Sequence, residues 1–269
     1  MSKQSVGKLQ STYLLVAHGS RDPRPQKALA KLAKLCSERL AMLTPTGIAT
    51  RSRLTRSEAL VGSATLEGGP TALHEQICQF ADYTLSLGLA QVQVMPLFLL
   101  PGVHVKEDVP AEVAIAQQVL KDKIAIDLRP HLGCQTCSLA KWIASQKTSV
   151  ALPTNWQIPC AAKWILLSHG TRRTGGNSTV EAMAEQAGAI AAYWSVPPSL
   201  EEQVSRLVHH GHQEIGILPY CLFAGGLTDA IAQRVEQLKQ QFPQVKFYLA
   251  NPLEASVELA DLIVNLIAK

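Results

Sequence analysis

The sequence of 269 residues lacks the features that mark membrane, secreted and nucleic-acid-binding proteins. No apolar run approaches the roughly 18 residues of a membrane span, and the first one, at residues 13–17, is too short for the core of a signal peptide. The formal net charge is only +4, whereas a general nucleic-acid binder normally concentrates basic residues on one face. We therefore expect a cytoplasmic protein that binds neither membranes nor nucleic acids.

Regularly spaced cysteines and phosphate-binding motifs are also missing. The six cysteines follow no regular spacing, so we expect reduced thiols rather than a disulfide framework. The chain has no Gly-x-x-x-x-Gly-Lys-Ser/Thr loop, so nothing points to chemistry driven by ATP. What the chain does have is 47% hydrophobic residues, enough for one large domain or two small ones.

Short apolar runs alternate along the chain with longer stretches of helical period. The predicted strands of the first half are residues 14–17, 60–66, 92–100 and 124–128, and the predicted helices are 27–42, 71–87 and 111–120. In the second half the predicted strands are 164–167, 214–218 and 246–249, and the predicted helices are 180–193, 201–209, 229–239 and 255–267. This alternation predicts an α/β fold with parallel sheets covered by helices.

The two halves of the chain also resemble each other in sequence. Leu-Leu-Val-Ala-His-Gly-Ser-Arg at 14–21 aligns with Ile-Leu-Leu-Ser-His-Gly-Thr-Arg at 165–172, and a second match joins 94–102 to 217–225. Such self-similarity indicates internal duplication and two similar lobes. We place these lobes at 1–145 and 164–269, with a linker at 146–163. The first lobe carries extra residues at 43–64, predicted to be an exposed loop insertion, which include Arg51, Arg53 and Arg56.

Two histidines follow predicted strands of the first lobe. His18 comes directly after the first strand, and His104 follows the third strand beyond a Pro-Gly turn. The carboxyl ends of parallel strands form the edge where open α/β sheets bind ligands, and two imidazoles there can share an iron, cobalt, nickel or zinc ion. Glu67, at the end of the second strand, can complete a metal site or accept a proton. A carboxylate-only site built on Glu67 and Asp108 is the alternative.

These residues are similar to those of the sirohydrochlorin chelatases, the class II, ATP-independent chelatases of siroheme and cobalamin synthesis. The similarity is carried by His-Gly-Ser-Arg at 18–21, by Leu66-Glu67, and by the run Met-Pro-Leu-Phe-Leu-Leu-Pro-Gly-Val-His-Val-Lys-Glu-Asp-Val-Pro at 95–110. It covers essentially the whole chain and matches the long, internally duplicated form. It implies two flavodoxin-like, chelatase-like lobes.

The resemblance also implies an activity: insertion of a divalent metal ion into sirohydrochlorin with release of two protons, without a permanently bound cofactor. His18, His104 and Glu67 are then both the metal ligands and the catalytic residues. The implied substrate-binding residues are Ser20, Arg21, Gly102, Val103 and Lys106. Fe²⁺, giving siroheme, is the preferred metal because the chain has no His-rich tail, and Co²⁺, for cobalamin synthesis, is the alternative. We expect a monomer rather than an obligate oligomer.

The second lobe departs from this pattern. It retains His169, but Leu227 stands at the position of His104, and the sequence offers no counterpart of Glu67 near Pro198. We therefore expect one active site, on the first lobe. The same sequence leaves open the roles of His131 and of the Cys134-x-x-Cys137 pair, whose simplest interpretation is two reduced thiols at a helix start.

Two other functions are compatible with a pair of histidines. One is a carrier that holds metal or tetrapyrrole without turnover. The other is a phosphoryl-transfer enzyme of the histidine phosphatase kind, in which Arg-His-Gly follows the first strand. Ala17 occupies the position of that arginine, which argues against the second alternative.

Overall fold

A computed structural model describes residues 11–43, 60–146 and 162–267, which form eight strands and eight helices. The chain divides into two compact units. Unit 1 comprises Met1–Phe98, Val103–Leu132 and Ala255–Lys269, and unit 2 comprises Leu99–Gly102 and Gly133–Glu254. Within the described residues, no helix is both long enough and apolar enough to cross a lipid bilayer.

Unit 1 is built on a four-stranded parallel sheet in the order β2-β1-β3-β4. Its strands are β1 (Ser11–Ala17), β2 (Val61–Thr65), β3 (Gln91–Pro96) and β4 (Ala125–Leu128), and its first helices are α1 (Pro23–Leu43), α2 (Leu73–Ser86) and α3 (Val109–Leu120). Strand side chains alternate between the two faces, and Leu14 and Val16 of β1 pack with α2 and α3. The central strand β1 is buried along its whole length, which fixes the residue that follows it at the sheet edge.

Unit 2 repeats this architecture with the order β6-β5-β7-β8, again all parallel. Its strands are β5 (Lys163–Ser168), β6 (Ile190–Tyr193), β7 (Glu214–Pro219) and β8 (Lys246–Leu249), and its helices are α4 (Thr136–Gln146), α5 (Ser178–Gln186), α6 (Leu200–His209) and α7 (Gly226–Gln241). The same strand order in both units confirms the prediction of two similar α/β lobes with parallel sheets.

The last helix, α8 (Val257–Ile267), lies in unit 1, although the sequence assigned residues 164–269 to the second lobe. It packs on α1, where Arg39 forms an ion pair with Asp261 at 2.8 Å. Leu259 and Ile263 of α8 are fully buried. An amphipathic sequence predicts that one helix face is buried, but not which unit buries it. The boundary of the second lobe could therefore not be predicted from sequence patterns.

Other segments also differ from the sequence-based expectation. The helix predicted at 180–193 ends at Gln186, and its last residues form β6, because Gly188 turns the chain with a φ of +63°. The strand predicted at 92–100 ends at Pro96, which pairs with Val16 of β1 but has no backbone N–H to donate on its other side, toward β4. Most of the predicted insertion at 43–64, with its three arginines, and most of the predicted linker at 146–163 lie outside the described residues.

Candidate metal centre

The first part of the site is a close approach between the residues that follow β1 and β2. The backbone N–H of Glu67 donates a hydrogen bond of 2.8 Å to the carbonyl oxygen of His18. Gly19 has a φ of +94°, and a Cβ atom at this position would lie 1.8 Å from the carbonyl oxygen of Glu67. Only glycine fits here. Because it has no side chain, the backbone that bears Glu67 can pass directly beside His18.

His104 is supplied by an irregular turn between β3 and α3. His104–Asp108 form a π-helical turn, in which the N–H of Val109 reaches back to the carbonyl oxygen of His104. This wide turn places the ring of His104 against the carboxylate of Asp108, with 2.6 Å between Nδ1 and Oδ2. A carboxylate acceptor favours the tautomer with a proton on Nδ1, which leaves Nε2 free to bind a metal.

The structure brings His18, Glu67 and His104 together. One ligand atom from each lies within 4.8 Å of the other two, and the rings of His18 and His104 are 4.7 Å apart and nearly perpendicular. Two ligands bound to one ion at about 2.0–2.2 Å lie at most about 4.4 Å apart, so small side-chain rotations suffice to close the site. In the described part of the chain, these three form the only such group of three or more potential metal ligands.

Two predicted substrate-binding residues, Ser20 and Arg21, follow His18 and are exposed. The hydroxyl of Ser20 accepts the backbone N–H of Asp22 at 3.0 Å, and the carboxylate of Asp22 accepts the N–H of Arg24 at 2.9 Å. These bonds cap α1, which begins at Pro23, one turn before the helix predicted at 27–42. Ser20 therefore has a structural role in the turn, and Arg21 is an exposed cation that follows His18 closely in the sequence.

The other three predicted substrate-binding residues lie around the π-helical turn. Val103 precedes it in a helical conformation and is partly buried, and Lys106 within it is exposed. Gly102 is exposed and belongs to unit 2 with the short segment Leu99–Gly102. The two residues of unit 1 thus adjoin His104, and their contact with a substrate stays a prediction.

Unit 2 shows what remains of the site after duplication. Ser195 donates its backbone N–H to the carbonyl oxygen of His169 at 2.9 Å, as Glu67 does to His18, so Ser195 is the counterpart of Glu67. The sequence alone offers no counterpart of Glu67, because β6 is only four residues long and its alanines do not mark it as the strand that Ser195 follows. Leu227, at the position of His104, packs against the hydrophobic core. Unit 2 therefore retains one of the three potential ligands.

Three of the thiols and a further histidine stand outside the group formed by His18, Glu67 and His104. Burial raises the pKa of Cys221 to about 11 and that of Cys36 to about 12, so both remain protonated near neutral pH and are poor ligands. Burial lowers the pKa of His131, which is partly buried and lies outside the metal cluster. Cys134 is exposed at the end of a short 3₁₀ turn.

Two duplicated parallel α/β units, one of them with an open His-Glu-His cluster at the carboxyl edge of its sheet, define a metal-handling protein with a chelatase-like fold. The CbiX family model matches residues 12–146 and 163–269, and the chain belongs to this family. Among curated proteins, it is 25% identical over 253 residues to the sirohydrochlorin cobaltochelatase of Priestia megaterium, covering 91% of this chain and 74% of that protein.

Two further relatives come from Bacillus subtilis. The sirohydrochlorin ferrochelatase of strain 168 is 23% identical over 246 residues, covering 88% of this chain and 84% of that protein. The solved structure described as SirB from Bacillus subtilis with Fe³⁺ matches with a TM-score of 0.71 at 19% identity, covering 96% of this chain and 94% of that one. The structural match confirms the predicted fold.

Proposed function

We propose that this chain inserts a divalent metal ion into sirohydrochlorin. The observation that carries the proposal is the cluster of His18, Glu67 and His104, whose ligand atoms lie within 4.8 Å of one another. His18 and Glu67 are exposed and His104 is partly exposed, so a large planar substrate can approach the ion. The curated relatives named sirohydrochlorin cobaltochelatase and sirohydrochlorin ferrochelatase support this choice of substrate.

The donor set suits an ion that must be bound and then released. Two neutral imidazoles and one carboxylate bind a first-row ion and leave coordination positions open for incoming pyrrole nitrogens. Because Nδ1 of His104 is hydrogen-bonded to Asp108, we assign His104 as a ligand through Nε2. His18 and Glu67 release the ion to the ring and accept the two protons that leave the pyrrole nitrogens. Charge is therefore balanced, because one M²⁺ replaces 2 H⁺ in the ring.

Binding of the substrate carboxylates falls to the residues that flank this cluster. Arg21 and Lys106, which follow His18 and His104 closely in the sequence, are exposed and supply positive charge, and Ser20, Gly102 and Val103 offer polar backbone groups. Fe²⁺ is the first metal to test and Co²⁺ the second, since nitrogen and oxygen donors accept both ions and the curated relatives include an enzyme named for each.

Asp108 should strengthen metal binding through His104. We expect Asp108→Ala to weaken Co²⁺ affinity by about 10- to 100-fold, because the carboxylate fixes the tautomer and orientation of a metal-binding imidazole. Isothermal titration of the variant with Co²⁺ measures this change. Glu107→Ala, which removes the neighbouring exposed carboxylate, is the matched control. Equal affinities for the two variants would show that the hydrogen bond to His104 is unimportant.

The proposed function is tested by an anaerobic assay with sirohydrochlorin and Fe²⁺, Co²⁺ or Ni²⁺ in turn, in which the absorbance change of the tetrapyrrole follows metal insertion. An enzyme increases the rate in proportion to its own concentration. A carrier instead binds metal stoichiometrically and leaves the rate at the uncatalysed value, and that result with all three metals would overturn the proposal.

A further inference from the structure

The loop that carries Glu67 is tied at both ends by one side chain. Gln76, in the first turns of α2, accepts the backbone N–H of Thr65 through Oε1 at 3.1 Å. Its Nε2 donates to the carbonyl oxygens of Thr65 and Thr71, both at 2.9 Å. Thr65 is the last residue of β2 and Thr71 lies just before α2, so a single amide closes the loop that holds the carboxylate.

A glycine in the loop leaves room for this amide. A Cβ atom on Gly69 would lie 3.0 Å from Nε2 of Gln76 and 2.7 Å from the hydroxyl oxygen of Thr65, so a side chain there would press on the amide. The helix that carries Gln76 is itself held in place, because the carboxylate of Glu112 on α3 accepts the N–H of His74 at 2.8 Å. α3 continues directly from the turn that bears His104.

Unit 2 has a glutamine at the corresponding position, but it forms different hydrogen bonds. Leu-His-Glu-Gln at 73–76 corresponds to Leu-Glu-Glu-Gln at 200–203, at the start of α6. Gln203 donates to the carbonyl oxygen of Ala191, inside β6, at 2.7 Å. Tyr193, the counterpart of Thr65 in the sheet register, donates its N–H to the carbonyl oxygen of Pro198. Where a serine replaces the carboxylate, the loop is therefore closed by its own backbone.

We propose that Gln76 is a positioning residue for Glu67, which it holds beside the two histidines for metal binding. The inference rests on the proposed function, because it assumes that Glu67 is a metal ligand. A carboxylate on an unrestrained loop must be ordered whenever metal binds, and this ordering weakens affinity. Gln76 removes that cost by fixing the loop beforehand, and it touches neither metal nor tetrapyrrole.

The test compares Gln76→Leu with Gln203→Leu in the full chain, using Co²⁺ titration and the insertion assay. Each variant loses a hydrogen-bonded amide at the same helix position, part-buried for Gln76 and buried for Gln203, and we expect both to lower the melting temperature. Only Gln76→Leu should weaken Co²⁺ affinity, by about tenfold, the lower end of the range for residues that support a metal ligand. If Gln76→Leu does not fold, Gln76→Glu, which keeps the acceptor for Thr65 N–H, is measured instead.

A double-mutant cycle shows whether Gln76 acts through Glu67. In a Glu67→Gln background, Gln76→Leu should cause no further loss of affinity. Wild-type affinity in Gln76→Leu, an equal loss in both backgrounds, or wild-type affinity in Glu67→Gln alone would each overturn the inference. His104→Ala separates this failure from that of the proposed function. If His104→Ala also binds Co²⁺ like the wild type, the metal site itself is wrong.

Discussion

His18→Ala and His104→Ala should each lower the rate of metal insertion into sirohydrochlorin by at least about 100-fold, since losing a ligand should cost no less than losing a residue that supports one. Each variant removes one of the two imidazoles from the only ligand cluster in the described residues. The two side chains are exposed or partly exposed, so their truncation leaves no core cavity and should change the free energy of unfolding by no more than about 0.5 kcal/mol.

His169→Ala is the matched control for these variants. His169 follows β5 as His18 follows β1, and it is equally exposed, but Ser195 and Leu227 replace the other two ligands. The anaerobic assay should therefore give nearly wild-type rates for His169→Ala. Wild-type rates for His104→Ala, or a loss in His169→Ala as large as in His18→Ala, would contradict the assignment of a single active site to unit 1.

Gly19→Ala should destabilise the protein and weaken metal binding at the same time. An L-residue in the left-handed region costs about 1–2 kcal/mol, and here the added Cβ would also lie 1.8 Å from the carbonyl oxygen of Glu67. Because the two atoms nearest to this Cβ, the carbonyl oxygen and carbon of Glu67, are backbone atoms, the loop that bears Glu67 must move. We expect the free energy of unfolding to fall by about 3–5 kcal/mol, which is unusually large for a single substitution, and Co²⁺ binding to weaken.

Two other glycines separate these effects. Gly88 also has a positive φ, +73°, but a Cβ atom there meets nothing within 4 Å, so Gly88→Ala measures the backbone cost alone. Gly170, at the position of Gly19 in unit 2, would clash with Tyr193, so Gly170→Ala should destabilise the protein without affecting metal binding. Thermal unfolding and Co²⁺ titration give both quantities. A Gly19→Ala variant as stable as Gly88→Ala would show that the close approach does not constrain the loop.

The cluster of His18, Glu67 and His104 could be predicted because each residue follows a strand that the sequence pattern indicates. β1 is an apolar run that ends directly before His18, and α1 begins five residues further on, at Pro23. In a parallel sheet the residues that follow adjacent strands meet at one edge, so the sheet order places the segments that bear Glu67 and His104 on the same edge as His18.

What supports the cluster was not predictable, since it depends on contacts between distant segments. The bond of Asp108 to His104 is made within a π-helical turn, whose occurrence the sequence does not signal. Gln76 looks like an ordinary polar residue of an amphipathic helix until the loop it closes is seen. α8 carries a clear apolar face, but only the tertiary structure assigns that face to unit 1. β6 is too short and too rich in alanine to be distinguished from a continuing helix.

The central claim is that His18, Glu67 and His104 hold the metal ion that is inserted. Anomalous diffraction at the cobalt edge, from crystals grown with Co²⁺, tests it most directly. The expected result is a strong peak about 2.0–2.2 Å from a ring nitrogen of His18, a ring nitrogen of His104 and a carboxylate oxygen of Glu67. A strongest peak elsewhere in the molecule, with no density between these three side chains, would contradict the account.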